Sequence, residues 1–347
     1  MMVKVLIVDD SAFARLSITK QLSSDSEIEI VGYANDGLEA LDMVKKLKPG
    51  VITLDVEMPR MGGLEALAQI MEESPTPVVM LSSLTDRGTE ITIRALELGA
   101  IDFFLKAPKA TKAGYFGLNS DLNSKIKLAA TIGRARLRMA VPKKEAYPQP
   151  RKASRTLSIA PDKVVVIGSS TGGPSALYEL VPHLPADLPA AMLLVQHMPP
   201  VFTRSLADRL NELSNIDIKE AEQGDVLKQG LVLLAPGNYH MEVKMDHKIS
   251  LNQKPPVLGL RPSVDITMLS ASLAYGASTI GVVLTGMGSD GTRGATSIKA
   301  AGGKIVAQDE ATCVVYGMPR SVKESGSVDK VVPLAKIAGE IERMCRE

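Results

Sequence analysis

Short apolar runs alternate with amphipathic stretches from Val3 to Phe104. The runs are VKVLIV (3–8), IEIVGYA (28–34), GVITLD (50–55), PVVML (77–81) and AIDFFL (100–105). Between them, apolar residues recur at helical spacing near 12–22, 37–47, 64–73 and 87–98. Alternation of this kind predicts βαβ units: a five-stranded parallel, doubly wound α/β sheet with helices on both faces. The pattern resumes at KVVVIG (163–168), with a helix near 173–183, the run AAMLLVQ (190–196) and a helix near 201–213. VLLAPGNYHMEVKMDHKISLNQ reads as short antiparallel strands. A helix near 263–275, STIGVVLTG (278–286), a helix near 290–301, KIVAQ (304–308) and a helix near 333–346 follow. The second half is therefore a second α/β sheet, mostly parallel with an antiparallel edge.

The stretch between the halves has no such pattern. Residues 140–162 hold Pro142, Pro148, Pro150 and Pro161 and few periodic apolar positions, which marks a linker. The chain of 347 residues then divides into domains 1–139 and 161–347 joined by 140–160. Charge adds to this picture. Lys109 to Arg155 holds twelve Lys/Arg against Asp121 and Glu145, while the whole chain is only +1. A solvated basic tether is the plain reading, a docking strip for an acidic partner the sharper one. The near-neutral total gives no sign of nucleic-acid binding. Cys313 and Cys345 cannot build a disulfide framework, and no metal-binding spacing surrounds them. No apolar run is long enough to span a bilayer. The start MMVKVLIVDD lacks the features of a cleavable signal, so a cytoplasmic protein is expected.

The strand ends carry chemistry. The first run leads into Asp9 and Asp10, the third ends in Asp55, the fourth reaches Ser82 and Ser83, and the fifth reaches Lys106. Ligands of open α/β sheets bind beyond these carboxyl ends. Three carboxylates so placed repel one another and need a cation, and an all-oxygen set suits Mg²⁺. A hydroxyl and a lysine beside them suit the oxygens of a phosphoryl group. Helix capping accounts for Asp9 or Asp10 singly, not for the whole set. VLIVDDS, LDVEMPRMGGLEAL, PVVMLSS and DFFLKAP resemble the response-regulator receiver family over about residues 1–120. The resemblance implies that Asp55 accepts a phosphoryl group from a histidine kinase. It implies that Asp10, Asp55 and the backbone carbonyl of Glu57 hold Mg²⁺ with help from Asp9. Ser82 would bond the phosphoryl oxygen and Lys106 would pair with it. The chain departs from the family twice. Gly62-Gly63 stands for Asp-Gly, which reads as a surface change, and Lys106-Ala107-Pro108 stands for Lys-Pro, at the turn that positions the lysine.

VVVIGSSTGGPSAL (164–177) poses the question of the second half, because a strand, tight turn and helix start can cradle a phosphate or present a nucleophile. A P-loop needs a lysine after its last glycine, where Pro174 stands, and Gly168, Gly172 and Gly173 do not match the dinucleotide spacing. A nucleophilic serine needs a base. Of four histidines, His247 reads as a hairpin tip, His183 as a helix-end cap, and His240 as a strand residue within reach of a substrate. His197 follows the run AAMLLVQ and so lies at the same sheet edge as the serine turn. Asp290, after the run VVLTG, supplies an orienting acid at a third strand end. A hydroxyl, an imidazole and a carboxylate at three strand ends suit acyl transfer, and triads are recognised by geometry rather than chain order.

IGSSTGGPSAL, QHMPPVFTRSLADRL, LAPGNYH, RPSVD and LTGMGSDG resemble the catalytic domain of chemotaxis protein-glutamate methylesterases. With the receiver and linker, the resemblance covers essentially the whole chain. It implies a receiver domain fused to a Rossmann-like α/β hydrolase. Ser170 would be the nucleophile, His197 the base, Asp290 its partner, the Met287 N–H an oxyanion donor, and Thr171 a support for the histidine. The implied activity is hydrolysis of glutamate methyl esters, and deamidation of glutamines, on chemoreceptor helices. The implied partners are a chemotaxis histidine kinase as phosphodonor and methyl-accepting receptors, with contact to membranes only through those receptors. No cofactor is expected in the catalytic domain. Arg204, Arg209 and Arg261 are candidates to meet acidic neighbours of the ester. Two rivals remain at this level: a phosphorylation-gated binding protein whose second domain does not catalyse, and a small-molecule esterase.

Overall fold

The computed structural model describes residues 2–83, 85–106, 122–132, 137 and 160–347. The chain forms two compact units, Met1–Pro142 and Lys143–Glu347. Residues 140–159 of the expected linker lie outside the described residues, as do Ala107 and Pro108.

The first unit runs β1 (Val3–Val8), α1 (Ala12–Leu22), β2 (Ile28–Ala34), α2 (Gly37–Leu47), β3 (Val51–Asp55), α3 (Gly63–Glu73), β4 (Val78–Ser82), α4 (Asp86–Glu97), β5 (Asp102–Leu105) and α5 (Leu122–Ala130). Its sheet has five strands in the order β2-β1-β3-β4-β5, all parallel. Val5 to Val8 and every residue of β3 and β4 are buried, as expected of strands covered on both faces. Side chains start three of the helices. Ser11 accepts from Ala14 N–H, Asp36 from Leu38 and Glu39 N–H, and Thr85 from Gly88 N–H. The cap of α3 is Gly62, which has no side chain to offer. Gly62 therefore leaves α3 without a side-chain cap, a change that costs only about a few tenths of a kcal/mol at an N-cap. Gly63 itself is forced: a Cβ there would lie 2.0 Å from the Asp55 carbonyl oxygen.

The second unit runs β6 (Lys163–Ser169), α6 (Gly173–Leu180), β7 (Ala190–Gln196), α7 (Phe202–Leu213), β8 (Asp217–Glu220), β9 (Leu231–Leu234), β10 (His240–Val243) and β11 (Ile249–Asn252). It continues through α8 (Val264–Tyr275), β12 (Thr279–Val283), α9 (Thr292–Ala300), β13 (Lys304–Gln308), α10 (Met318–Glu324), β14 (Lys330–Val332) and α11 (Leu334–Arg346). The seven-stranded sheet has the order β14-β13-β12-β6-β7-β9-β8 and is parallel throughout. Among the described residues the antiparallel strand pair is a separate ribbon, β10–β11, with isolated antiparallel bridges at Val226–Lys248 and Val257–Leu260. That ribbon joins Val164, Val166, Leu193, Val195, Met268, Ala271 and Ile298 in one apolar core through Met241, Val243 and Ile249. Val164 to Ile167 are all fully buried, so the central strand is covered on both faces. Among the described residues no helix is long and apolar enough to cross a membrane.

Candidate active site

In the first unit the predicted residues converge. Asp9, Asp10 and Asp55 can each place a carboxylate oxygen within 4.8 Å of the others. Asp9 and Asp55 are buried and Asp10 is exposed. Lys106 bridges the buried pair, with Nζ 2.8 Å from Asp9 Oδ2 and 2.7 Å from Asp55 Oδ1. Burial raises the Asp55 carboxyl, Lys106 opposes this, and Asp9 raises it again, so that it is pushed up to about 6. Burial opposes the charge on Lys106, but Asp55 and Asp9 outweigh it and raise its pKa. One lysine against three clustered carboxylates leaves negative charge in excess, so this oxygen-only set fits a hard divalent cation. Glu57 is exposed, two residues beyond Asp55. Ser82 is fully buried and accepts a 2.7 Å hydrogen bond from Thr92 of α4. Its hydroxyl is therefore tied to that helix.

In the second unit the serine turn is built by close approach. Gly172 has φ +75°, and a Cβ there would lie 2.5 Å from Val314 Cβ. A Cβ on Gly173 would lie 2.0 Å from Gln196 Oε1. Two glycines therefore end the strand and start α6 against β7. Ser169 is 1% exposed and donates to Gln196 Oε1 at 2.7 Å. Ser170 is half-buried, and its hydroxyl has no hydrogen-bond partner among the described residues. Its backbone is pinned from both sides. Ser170 N–H donates to Thr285 O, and Ser170 O accepts from Gln196 Nε2.

His197 N–H donates to Ser169 O, which places the imidazole at the same sheet edge. His197 Nε2 lies 2.8 Å from Asp290 Oδ2. Nε2 facing a carboxylate carries the proton, which leaves Nδ1 as the basic nitrogen. Nδ1 is buried and has no hydrogen-bond partner among the described residues. Asp290 is fully buried. Its Oδ2 also accepts from Val264 N–H, and its Oδ1 accepts from Ser263 Oγ, Asp265 N–H and Gly291 N–H. Burial would raise this carboxyl, but the His197 hydrogen bond and charge and the α8 amides outweigh it, and the pKa is lowered. Gly286 packs on the serine: a Cβ there would lie 2.8 Å from Ser170 Cβ. Met287 follows, with an exposed side chain. Thr171 gives its carbonyl to Thr285 Oγ1.

The other candidates fall elsewhere. His183 is exposed at its helix end and its Nδ1 meets Glu179 O at 2.7 Å. His247 is exposed in the β10–β11 turn, its ring tilted at 56° against Tyr275 with centroids 4.6 Å apart. His240 is 1% exposed, with Nε2 on Pro255 O, so it is a core residue. Arg204 is exposed, and Arg209 pairs with Glu212. Arg261 is committed to Asn238 Oδ1 and to the Gln253 and Lys254 carbonyls, which makes it a loop clamp rather than a waiting cation. Sequence reading passed over Gln196, Ser263 and Asp265. They lie inside the quoted stretches QHMPP and RPSVD, but their roles were not legible there, because each acts across the fold on a residue far away in the chain.

Each of the two units has relatives among known proteins. The response regulator receiver domain family matches residues 5–112, and the CheB methylesterase family matches residues 165–341. A protein-glutamate methylesterase/protein-glutamine glutaminase of Pyrococcus horikoshii is 48% identical over 339 residues, covering 96% of this chain and 91% of that one. The protein of the same name from Symbiobacterium thermophilum is 47% identical, covering 99% of this chain and 98% of that one. The crystal structure of the Thermotoga maritima CheB methylesterase catalytic domain superposes with a TM-score of 0.52 at 46% identity, covering 54% of this chain and all of that one. A serine turn, an aspartate-bound histidine and an acidic pocket on two parallel sheets thus accompany near-complete sequence coverage, and the chain belongs to the CheB methylesterase family.

Proposed function

We propose that the chain is a phosphorylation-regulated serine hydrolase that removes methyl groups from glutamate methyl esters of chemoreceptors and deamidates receptor glutamines. The observation that carries this reading is His197: Nε2 is held by a buried aspartate and Nδ1 is left without a partner beside the serine turn. Ser170 attacks the side-chain carbonyl and its proton passes to His197 Nδ1. The charge that develops on the carbonyl oxygen is met by backbone N–H, that of Met287 foremost, where one such donor is worth about 3–4 kcal/mol of barrier. Nδ1 then returns the proton to the departing methoxide, releasing methanol, or to the amine, releasing ammonia. Water repeats the cycle on the acyl-serine and releases glutamate. Asp290 stays ionised and stabilises the imidazolium.

The receiver, taken as 1–139, is joined by 140–160 to the hydrolase, 161–347. Asp55 accepts the phosphoryl group from a histidine kinase. Asp9, Asp10 and Asp55 are the side chains that would hold Mg²⁺, with the Glu57 carbonyl, and bound Mg²⁺ would neutralise the phosphoryl oxygens. Lys106 pairs with the phosphoryl group on leaving Asp9 or Asp55, and Ser82 donates to it by turning its hydroxyl proton away from the Ser83 and Gly88 carbonyls. The test is methanol release from methylated receptor membranes. Wild type should release methanol and respond to a small phosphodonor. Asp55→Asn should release methanol at the resting rate without response. A wild type that binds the membranes and releases none would make the second unit a binding module.

A further inference from the structure

Asp265 is 2% exposed, carries a carboxylate and has no part in the chemistry above. It lies against Asp290, and the two exchange roles across a pair of helices. The first residue before α8, Ser263, makes no side-chain cap of its own to that helix. The α8 amides of Val264 and Asp265 donate instead to Asp290, at 2.6 and 3.0 Å. The start of α9 is likewise without a side-chain cap from its own Gly291. Asp265 Oδ1 supplies it, accepting from Gly291 N–H at 2.9 Å and Gly294 N–H at 2.8 Å. Each carboxylate therefore caps the other's helix, and Gly291 N–H is shared between them, 3.1 Å from Asp290 Oδ1. The two helices meet closely here: a Cβ on Gly294 would lie 2.5 Å from Met268 Cβ and 3.2 Å from Asp265 Cα.

The loop that presents Asp290 has little stiffness of its own. Gly288 at φ +85° and Gly291 at φ +95° bracket it. Glycines in that conformation place the chain without restraining it. Asp265 supplies the restraint by holding the amide that follows Asp290 and the first turn of α9. The groups facing Asp265 are Asp290 and, from α9, Arg293. Burial raises the Asp265 carboxyl, the Gly294 amide opposes this, and the Asp290 charge raises it further, so the residue is held at an electrostatic expense that packing alone does not require.

Resting on the reading of Ser170, His197 and Asp290 given above, we propose that Asp265 is a positioning residue for the hydrolysis, fixing Gly291 and the start of α9 so that Asp290 stays aligned on His197 Nε2. The full-length chain is assayed on methylated receptor membranes, with active sites counted by a serine-directed fluorophosphonate. Asp265→Ala should lower kcat per titrated site by about tenfold or more with KM unchanged, because small misplacement of a catalytic group is costly. Asp265→Asn, which keeps an accepting oxygen for both amides, should restore kcat to within about threefold of wild type. An alanine variant whose loss lies wholly in the titratable fraction, with normal kcat per site, would make Asp265 a structural cap only and overturn the proposal. So would an asparagine variant as slow as the alanine one. If the alanine variant does not fold, Asp265→Ser takes its place, its hydroxyl too short to reach both amides; wild-type kcat per site in that variant overturns the proposal equally. Ser170→Ala is run beside them: if it keeps methanol release, the active-site reading itself fails, whatever the Asp265 variants do.

Discussion

Ser169 and Ser170 are neighbours with opposite surroundings. The first is buried on Gln196, and the second is half-buried with no partner for its hydroxyl among the described residues. Ser170→Ala should cut kcat by about 10⁶-fold for ester and amide alike, and Asp290→Asn by about 10⁴-fold, since the acid orients rather than reacts. Ser169→Ala should keep kcat within about tenfold while losing about 1 kcal/mol of stability with its buried hydrogen bond. Methanol release and denaturant melts separate these cases. A greater loss of activity in the Ser169 variant would shift the nucleophile by one residue. Asp290 also shapes acid stability. Its carboxyl titrates below the ordinary 3.8 in the fold, so its ionised form stabilises the folded state above pH 3.8, and this is lost as pH falls through the lowered value. The stability gap between wild type and Asp290→Asn should therefore narrow below pH 3.8 in denaturant melts, and a gap that widened there would contradict the lowered value. The residues that carry charge or a lone pair at strand ends were legible in the sequence, because strand ends are where such sheets bind. The roles of their supports were not: Gln196 reads as the last residue of a strand, and Asp265, although it closes the quoted RPSVD, as an acid at a helix start.

At the scale of elements, the run of apolar residues and the breaks between them were enough for β1 to β7, β12 and β13. The parallel strands β8 and β9 were harder to read. Asp217–Glu220 has only Ile218 buried, and Leu231–Leu234, at the opening of the stretch read as short antiparallel strands, pairs in parallel with β7 and β8 instead. A short edge strand shows little alternation because only one position meets the core. β14, three residues long and mostly exposed, gave no signal at all. Glycines mark another class of element boundary. Gly63 brings the first turn of α3 onto the Asp55 carbonyl, with room for no side chain. Gly63→Ala should destabilise the first unit by about 1–3 kcal/mol or more, since overpacking against backbone has no flexible neighbour to yield. The expected outcome is a lowered melting transition for the first unit and a lost response to phosphodonor, with resting methanol release intact. An unchanged response would mean that α3 shifts without disturbing Asp55.

At the scale of the molecule, the two units divide the ionic requirements. The only cluster among the described residues that could hold a metal ion is Asp9, Asp10 and Asp55. EDTA should therefore block phosphodonor labelling at Asp55 and leave resting hydrolysis at its full rate. Loss of resting hydrolysis on chelation would place an unrecognised metal in the second unit. Ser170, His197 and Asp290 follow β6, β7 and β12, which lie side by side as the third to fifth strands of the seven. Two strands on each side, β14 and β13 or β9 and β8, separate them from solvent at the sheet edges. Amides at the middle of such a sheet are the last to exchange their hydrogens, and opening at the edges leaves them in place. Catalytic competence should thus outlast fraying of β8 and β14 during warming, and the half-time of heat inactivation should match deuterium uptake in Val164–Ile167 rather than uptake at either rim.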